Sequence, residues 1–351
     1  MPSGRLVKSG MLIRARAPLR LGLAGGGTDV SPYCDTYGGC VLNATIDRYA
    51  YAILRPLQEP QLRFHAADQA KMETLPISDH LPLDDGLVLH RAVYNEIVRV
   101  YNGGRPLAVE LTTHCDAPAG SGLGSSSTVV VAMVRAFAEL LNLPLDEYAL
   151  AQLAFKVERI DCNLLGGRQD QYAATFGGFN FMEFSGADKA VINTLRIKPW
   201  ILCELEASLL LFYSGRSRES AEIIADQTNN VIRGESGAIE ATHSLRREAI
   251  RMKECILRGD FPGIVQSMQD GWADKKRLAG RISNAEIEEV FGAALAAGAL
   301  AGKVSGAGGG GFMIFFVAPE RRMDVIARLS RFPGVISNCH FTETGVEAWR
   351  V

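Results

Sequence analysis

The amino-acid sequence predicts an α+β fold divided into two domains. Strand-like and helix-like stretches are mixed along the chain without the regular β-α-β alternation of a doubly wound sheet. The 351 residues exceed the length at which a single hydrophobic core usually stops growing. The composition changes over residues 186–206, so we expect an N-terminal domain over residues 1–195 and a C-terminal domain over residues 196–351.

The first half of the chain contains four expected strands and three expected helices. Runs rich in apolar, β-branched and aromatic residues predict strands at 11–24, 49–54, 107–113 and 179–184. Apolar residues at helical spacing predict helices at 87–101, 125–141 and 147–161. In the last of these helices, one buried stripe is expected to contain Leu150, Leu153, Val157 and Ile160. Residues 58–86 are polar and are expected to be irregular.

The second half is expected to mix short strands with charged helices. Apolar runs predict strands at 208–213, 312–317 and 335–341, and the last of these is expected to pair with the C-terminus. The region 217–300 is expected to hold three or four charged helices, and a further helix is expected at 319–331.

Composition and charge exclude several kinds of partner. The formal net charge of −2 at pH 7 gives no basic field for nucleic acid. No apolar run reaches the length of a transmembrane helix, and residues 1–8 lack the apolar core of a signal peptide. The seven cysteines contain no C-x-x-C pair, which favours free thiols in a reducing compartment. We therefore expect a cytoplasmic protein that binds neither nucleic acid nor membranes.

Three glycine-rich segments, at residues 16–29, 118–128 and 303–312, are the most informative feature of the chain. Glycine lets backbone N–H groups approach a ligand closely and adopts positive φ, so such loops can surround an anion. One glycine run is readily explained as a turn. Three runs, each flanked by hydroxyl or charged residues, indicate one site that is built from distant parts of the sequence.

The second segment has the features of a phosphate-binding loop. An expected strand enters it and an expected helix leaves it, so the loop amides and the helix dipole favour an anion at one place. Four consecutive hydroxyl residues, 125–128, can bind phosphate oxygens or a metal ion. A plain turn with a serine cap is the alternative, but it accounts for one glycine and one serine only.

Other nucleotide-loop signatures do not fit. No G-K-[ST] follows the second segment at Walker A spacing. The third segment matches G-x-G-x-x-G through Gly306, Gly308 and Gly311, but a helix precedes it and a strand follows, which reverses the order of a dinucleotide-binding unit. The protein-kinase motifs H-R-D and D-F-G are absent from the sequence.

Together, the three segments resemble the three motifs of the GHMP kinase superfamily, which includes galactokinase, homoserine kinase and mevalonate kinase. The residues from Pro118 to Ser127 match the phosphate-binding motif P-x-x-x-G-L-G-S-S-A/S at every defined position. The first segment resembles the sugar-kinase form of the first motif, and the third resembles the C-terminal glycine motif. The resemblance implies an N-terminal domain of the ribosomal S5 domain-2 type, a ferredoxin-like C-terminal domain, and an active site between them.

Within the superfamily, the chain is most similar to the D-glycero-D-manno-heptose 7-phosphate kinases. The resemblance lies in residues 24–29, 37–39 and 166–172. It implies an ATP- and Mg²⁺-dependent kinase that phosphorylates the anomeric C1 hydroxyl of the heptose 7-phosphate to give the 1,7-bisphosphate, a precursor of nucleotide-activated heptose. A fucokinase-like or other sugar-1-kinase is the nearest alternative.

The resemblance also implies the catalytic residues. Asp170 lies in a segment that resembles the G-x-x-D-Q signature around the catalytic aspartate of galactokinase, and is expected to accept the proton of the attacking hydroxyl. Arg20 matches the first-motif arginine that stabilises charge on the attacking oxygen. Without this context, Asp170 is interpreted as a solvated loop acid and Arg20 as a surface arginine of a strand.

Glu158 is expected to bind Mg²⁺ together with Ser126. It lies late in the helix 147–161, where the helix dipole disfavours an anion, so an acid there suggests a cation partner. In the family, an acid twelve residues before the catalytic aspartate binds the metal, often with a loop serine. A local ion pair with Lys156 or Arg159 is the alternative.

The remaining expected site residues bind phosphate or sugar. The residues expected to bind the ATP phosphates are Pro118, Gly120, Ser121, Gly122, Leu123, Gly124, Ser125, Ser126 and Ser127. The residues expected to bind the sugar substrate are Gly27, Thr28, Asp29, Arg168, Gln171, Gly306, Gly308 and Gly309. A second phosphate on the substrate is assigned to Arg168, with Arg216 and Arg218 as reserves. Lys303 and Ser305 are expected on the γ-phosphate or substrate side.

Two hypotheses of a different class remain for comparison. A non-catalytic sugar or nucleotide sensor on the same fold need not retain the base, the arginine and the metal acid, all of which are present in this sequence. A nucleotide-dependent oxidoreductase is disfavoured by the order of the third glycine segment. The expected partners are ATP and a sugar phosphate, and the oligomeric state is left open, with a homodimer as one option.

Overall fold

The strands form two β-sheets on either side of the candidate site. The computed structural model describes residues 11–186, 189–215 and 220–351. Over these ranges the strands are β1 (Ile13–Ala24), β2 (Gly39–Pro56), β3 (Gln61–Ala66), β4 (Lys71–Pro76), β5 (Val109–Cys115), β6 (Phe179–Ser185), β7 (Lys189–Thr194), β8 (Leu209–Tyr213), β9 (Ala299–Val304), β10 (Phe312–Val317), β11 (Val335–Asn338) and β12 (Glu347–Arg350). The α-helices are α1 (Tyr33–Tyr37), α2 (Val88–Glu96), α3 (Ser125–Leu141), α4 (Glu147–Phe155), α5 (Gln169–Phe176), α6 (Pro199–Ser208), α7 (Ser220–Ile232), α8 (Ser236–Arg258), α9 (Phe261–Lys276), α10 (Ala285–Ala296) and α11 (Arg322–Leu329).

The first sheet has eight strands and supports α3. Its order is β12-β1-β2-β5-β3-β4, with β6 paired to the first part of β2 and β7 paired to β6. Every pair is antiparallel except β3 with β5. Val130, Val134 and Phe137 of α3 are fully buried in the core of this unit. The backbone N–H of Arg20 donates to the carbonyl of Leu123, which fixes β1 beside the loop that precedes α3.

The second sheet has four antiparallel strands in the order β11-β8-β10-β9. Helices α7–α10 lie between β8 and β9 along the chain, and α11 lies between β10 and β11. The succession is therefore βαββαβ, and the sheet order is fourth, first, third, second. This is the ferredoxin-like arrangement that was expected for the C-terminal domain.

One hydrophobic core joins the two sheets. Leu21 and Leu42 of the first sheet pack in the same cluster as Leu211 and Ile314 of the second sheet and Met252 of α8. Burial of shared apolar surface is the main favourable term that holds such units together. The position of one sheet relative to the other is therefore fixed by packing, and so is the cleft between them.

The α+β class is confirmed, and several elements have the expected bounds. The helix at 125–141 and the strand at 312–317 coincide with the predictions. The prediction for residues 58–86 is wrong, because this region contains the β3–β4 hairpin. The inward-facing side chains of β3, Leu62, Phe64 and Ala66, alternate with polar and charged residues that hid the strand.

The C-terminal part differs from the expectation in one pairing. The strand at Val335–Asn338 pairs with β8, whereas the C-terminal strand β12 returns to β1 of the first sheet. A division after residue 195 places each sheet in its own domain, except that β12 follows this point in the chain and belongs to the first sheet. We keep residue 195 as our proposal for the domain boundary. Among the helices of the described ranges, none is long and apolar enough to cross a membrane.

Candidate active site

All three glycine-rich segments line one cavity of about 470 Å³. The first segment supplies Arg20, residues 22–27 and Asp29, and the third supplies Lys303 and Gly306. Helix α9 adds Lys275. Residues far apart in the sequence thus meet at one site, as the glycine pattern indicated.

The second glycine segment joins β5 to α3 and presents the N-terminus of that helix to the cavity. Gly120, Gly122 and Gly124 have φ values of +72°, +85° and +77°, a region that favours glycine. A Cβ on Gly122 would lie 2.4 Å from the carbonyl oxygen of Ser305, so this glycine also makes room for the third segment. Free amides and the positive end of the dipole at such a helix start attract phosphate.

The expected phosphate-binding residues divide into two groups. Those that line the cavity are Gly120, Gly122, Gly124, Ser125, Ser126 and Ser127. Leu123 packs in the core that joins the sheets, and Ser121 is fully buried. The carbonyl of Pro118 accepts a hydrogen bond from Ser125 Oγ at 3.3 Å. Pro118, Ser121 and Leu123 therefore shape the loop and do not present side chains to the cavity.

Asp170 and Arg20 form a partly buried salt bridge beside the phosphate loop. The Nε and Nη2 atoms of Arg20 lie 2.7 and 2.6 Å from Oδ1 of Asp170. Nη1 of the same guanidinium donates to the carbonyl of Gly122 at 2.7 Å. Asp170 also lies in the first turn of α5, where the helix dipole stabilises a carboxylate. None of the hydrogen bonds of the described residues uses its Oδ2 atom, so this oxygen is free to accept a proton.

Glu158 is buried and bonded to the first turn of α3. Its Oε1 atom accepts a hydrogen bond from Ser126 Oγ at 2.7 Å, and its Oε2 atom accepts one from Gln171 Nε2 at 2.7 Å. Arg159 lies 3.4 Å from Oε1, so the alternative local ion pair is also present. Lys156 is paired with Glu96 and Asp161 instead.

The backbone around Glu158 departs from the expected single α-helix. Helix α4 ends at Phe155 and continues as a π-helical turn, Lys156–Asp161. A π-helical turn contains more residues than an α-helical turn, so the side chains after it point in other directions than in a continuous α-helix. Ile160, which was expected in the buried stripe, is therefore 65% exposed. Turns of this kind are frequent at functional sites. Here the π-turn coincides with a buried acid, Glu158, that is 1% exposed.

Asp29 is held in place by three donors. Its carboxylate accepts hydrogen bonds from the backbone N–H of Gly27 and from both the backbone and side-chain nitrogens of Gln169, each at 3.1 Å. A Cβ on Gly167 would lie 2.0 Å from Oδ2 of Asp29. Glycine at 167 is therefore required for the carboxylate to sit against this backbone, at the wall of the cavity.

Two expected substrate-binding residues have structural partners instead. The hydroxyl of Thr28 donates to the carbonyl of Cys40 and accepts from its N–H, and the side chain is fully buried. The amide of Gln171 donates to Glu158 and to Ser127 Oγ. Neither residue lines the cavity, so Thr28 fixes the first segment to β2 and Gln171 orients the buried acid.

Arg168 does not reach the cavity either. Its Nη2 atom lies 2.7 Å from Oδ1 of Asp35, and its Nη1 atom donates to the carbonyl of Gly186 at 2.9 Å. The guanidinium is thus neutralised by an acid outside the cavity lining. The structure does not support the expected role of Arg168 in binding a second phosphate of the substrate.

The remaining expected residues have mixed outcomes. Gly306 lines the cavity, whereas Gly308 and Gly309 do not, because they turn towards Ile282, whose carbonyl accepts from the N–H of Gly309 at 2.8 Å. Arg216 and Arg218 lie outside the described residues.

Sequence reasoning missed Lys275, whose ammonium group lies in the cavity. Its Nζ atom donates to the carbonyl of Gly26 at 2.8 Å, and burial lowers its pKa from 10.5 to about 8. Lys303 is similar: Nζ donates to the carbonyl of Leu23 at 3.0 Å, and burial, with Lys275 and Arg20 nearby, lowers its pKa to about 7. Lys275 follows Asp274 and precedes Lys276 in a charged helix, so nothing local distinguishes it.

Comparisons with known proteins give a consistent result. The GHMP kinase N-terminal domain model matches residues 89–178, and the GHMP kinase C-terminal model matches residues 252–332. The chain is 44% identical over 339 residues to D-glycero-alpha-D-manno-heptose 7-phosphate kinase of Campylobacter jejuni, which covers 97% of this chain and 99% of that protein.

Two further comparisons bear on the kind of sugar. A crystal structure described as a D-glycero-D-manno-heptose 1-phosphate kinase from Bacteroides thetaiotaomicron superposes with a TM-score of 0.83 at 40% identity, over 97% of this chain and 99% of that one. The L-fucokinase/L-fucose-1-P guanylyltransferase of Bacteroides fragilis is 24% identical, over 92% of this chain and 36% of that protein.

Proposed function

The chain belongs to the GHMP kinase family, and from that premise we propose that it transfers the γ-phosphoryl group of ATP to the C1 hydroxyl of D-glycero-D-manno-heptose 7-phosphate. Full-length likeness at 44% identity to a heptose 7-phosphate kinase supports the sugar class, and the fucokinase relative is more distant at 24%. The two heptose kinase relatives are named for different phosphate positions, 7 and 1. We choose C1 as the acceptor because the base and arginine resemble those of the sugar-1-kinase galactokinase.

The observation that carries this proposal is the pairing of Asp170 with Arg20 beside the phosphate loop. Phosphoryl transfer depends mainly on positioning and on neutralising charge. The loop amides and the N-terminus of α3 cradle the transferred phosphate. The free Oδ2 atom of Asp170 accepts the proton of the attacking hydroxyl, and Arg20 stabilises the negative charge that develops on that oxygen.

Asp29 orients the sugar in this proposal. It is 1% exposed and held by Gly27 and Gln169, which leaves its carboxylate in a defined position at the cavity wall. A fixed acceptor of this kind binds sugar hydroxyls and sets the angle at which C1 approaches the phosphate.

The residues present fit a Mg²⁺ ion. Glu158 and Ser126 offer hard oxygen donors 2.7 Å apart on the cavity wall, and Mg²⁺ is commonly held by one or two carboxylates together with phosphate oxygens. Within the described ranges, no group of three or more His, Cys, Asp or Glu side chains could hold a metal ion. When bound, the ion would neutralise phosphate charge.

A substrate panel tests the proposed function. ADP release is measured with heptose 7-phosphate, heptose 1-phosphate, fucose, mannose and galactose as acceptors. We expect the highest kcat/KM with heptose 7-phosphate. Equal or better turnover of fucose or mannose would favour the fucokinase-like alternative. Sugar binding without ADP release from any acceptor would indicate a sensor.

A further inference from the structure

Two lysine ammonium groups lie in the cavity, and among the described residues neither has an acidic side chain as an ion-pair partner. Lys275 is 8% exposed and donates to the backbone carbonyl of Gly26. Lys303 donates to the backbone carbonyl of Leu23. An ammonium group has three protons to donate. Throughout the described part of the chain, neither Nζ atom lies within ion-pair distance of a carboxylate. Both groups therefore have further N–H donors that can bind an anion.

This arrangement is costly for the ligand-free protein. Burial of a cation without a partner disfavours its charged form, and the pKa values of about 8 and about 7 for Lys275 and Lys303 reflect that cost. Asp29 attracts Lys275 electrostatically, but its carboxylate is already bonded to Gly27 and Gln169. Two neighbouring cations in one cavity wall repel each other and do not stabilise the fold. Together they can bind an anion that carries two negative charges.

A further polar side chain, that of Gln227, lies near Lys275. Gln227 of α7 lines the same cavity and is 7% exposed, and its Nε2 atom has no hydrogen-bond partner within the part of the chain described. A Cβ on Gly27 would lie 3.0 Å from Lys275 Nζ and 3.5 Å from Gln227 Oε1, so the two side chains meet at this glycine. Gly27 has φ of +105°, which also favours glycine.

We propose that Lys275 and Lys303, assisted by Gln227, bind the phosphate monoester that the sugar substrate already carries. The inference rests on the proposed function, since it assumes a phosphorylated sugar. The lysines take the phosphate-binding role that was expected of Arg168 from the sequence, because the guanidinium of Arg168 is paired with Asp35. The site would bind a phosphate dianion, and two ligands could supply one: the phosphorylated sugar and ATP.

Position favours the phosphate of the sugar over that of ATP. The nucleotide phosphates have a separate cradle at the N-terminus of α3. The lysines instead bond to the end of β1 and the turn that follows, the same stretch of chain that carries Asp29, the proposed acceptor for sugar hydroxyls. In this arrangement a substrate with C1 at Asp170 has its own phosphate at the lysines, on the side of the cavity that carries Asp29.

The test compares Lys275→Met and Lys303→Met with Lys276→Met. Lys276 is the matched control, because it neighbours Lys275 in sequence, pairs with Glu288 at the surface and does not line the cavity. For each cavity variant we expect KM for heptose 7-phosphate to rise roughly 10–100-fold, the usual effect of losing a charged hydrogen bond, while KM for ATP stays within about twofold. The control should match the wild type. Lys275→Gln serves as a second variant, and thermal melts without ligand confirm that each variant is folded.

A binding measurement separates failure of the subsite from failure of the proposed function. Thermal stabilisation by mannose 6-phosphate and by heptose 7-phosphate is recorded without nucleotide for the wild type and the variants. Stabilisation of the wild type that is lost in the cavity variants supports the subsite, even if heptose 7-phosphate is not turned over. Unchanged binding and KM for sugar phosphates in the variants, a raised KM for ATP instead, or no stabilisation of the wild type by either sugar phosphate would overturn it.

Discussion

Arg20 and Asp170 are 150 positions apart in the sequence, yet two nitrogens of the arginine lie within 2.7 Å of one carboxylate oxygen of the aspartate. The arginine comes from β1 and the aspartate from the first turn of α5, so their meeting depends on how α5 packs on the first sheet. The same arginine holds the carbonyl of Gly122 in the phosphate loop. One side chain thus fixes the proposed base relative to the proposed phosphate site.

The first prediction concerns Asp170→Asn. The amide keeps the size of the side chain but cannot accept the proton, so kcat should fall by about 10²–10⁴-fold, the usual contribution of a general base. The affinity for ATP should change little, because the nucleotide phosphates bind the loop and α3. Steady-state kinetics and nucleotide titration measure both quantities. A variant with nearly full kcat would exclude Asp170 as the base.

The second prediction concerns Glu158→Gln, with Glu96→Gln as the matched control. Both acids are buried, but Glu96 pairs with Lys156 and Arg99 away from the cavity. Loss of the charge at 158 should weaken use of Mg²⁺, so activity should fall at low Mg²⁺ and recover in part at high Mg²⁺. The control should keep the wild-type dependence on Mg²⁺. Identical magnesium titrations for both variants would refute the metal role.

The third prediction concerns pH. A lysine whose pKa is lowered loses its proton as the pH rises through the lowered value, here about 7 for Lys303 and about 8 for Lys275. Burial is the main cause of both lowered pKa values; Arg20 contributes to both, Lys275 also lowers the pKa of Lys303, and Asp29 opposes the effect at Lys275. The KM for the sugar phosphate should therefore rise between pH 7 and pH 9, and the dependence near pH 7 should be lost in Lys303→Met. A KM that is constant over this range would contradict the prediction.

The fourth prediction concerns the stability of the ligand-free protein. Because the pKa of Lys275 is lowered by burial, the folded state disfavours its charged form, and the penalty is fully present below about pH 8. Lys275→Met should therefore raise the free energy of unfolding at pH 7 by on the order of 1–3 kcal/mol. The gain should shrink as the pH rises from 8 towards 10.5. Chemical denaturation without ligand measures it, and a less stable variant would show that the buried ammonium is structural.

The sequence predicts those parts of the molecule whose signals are local. The helix that begins at Ser125 is defined by its glycines, its serines and its apolar spacing, all within a few residues of one another, and its bounds are as expected. The strand that begins at Phe312 is a continuous apolar run and is also confirmed. The glycine pattern likewise indicated correctly that distant segments meet at one cavity.

What the sequence does not predict depends on partners far along the chain. Arg168 is removed from the site by Asp35, 133 positions earlier. Lys275 becomes a cavity residue only because α9 packs near Gly26, 249 positions earlier. Ile160 is exposed because a π-helical turn interrupts the helical periodicity. None of these contacts leaves a signal in the neighbouring residues.

The most direct test of the central claim is to identify the product made by the wild-type enzyme from ATP and heptose 7-phosphate with phosphorus NMR. The account predicts one ADP for each sugar and a new phosphate resonance coupled to the anomeric proton, with the resonance of the 7-phosphate retained. A product phosphorylated elsewhere, or turnover of heptose 1-phosphate in preference to the 7-phosphate, would contradict it.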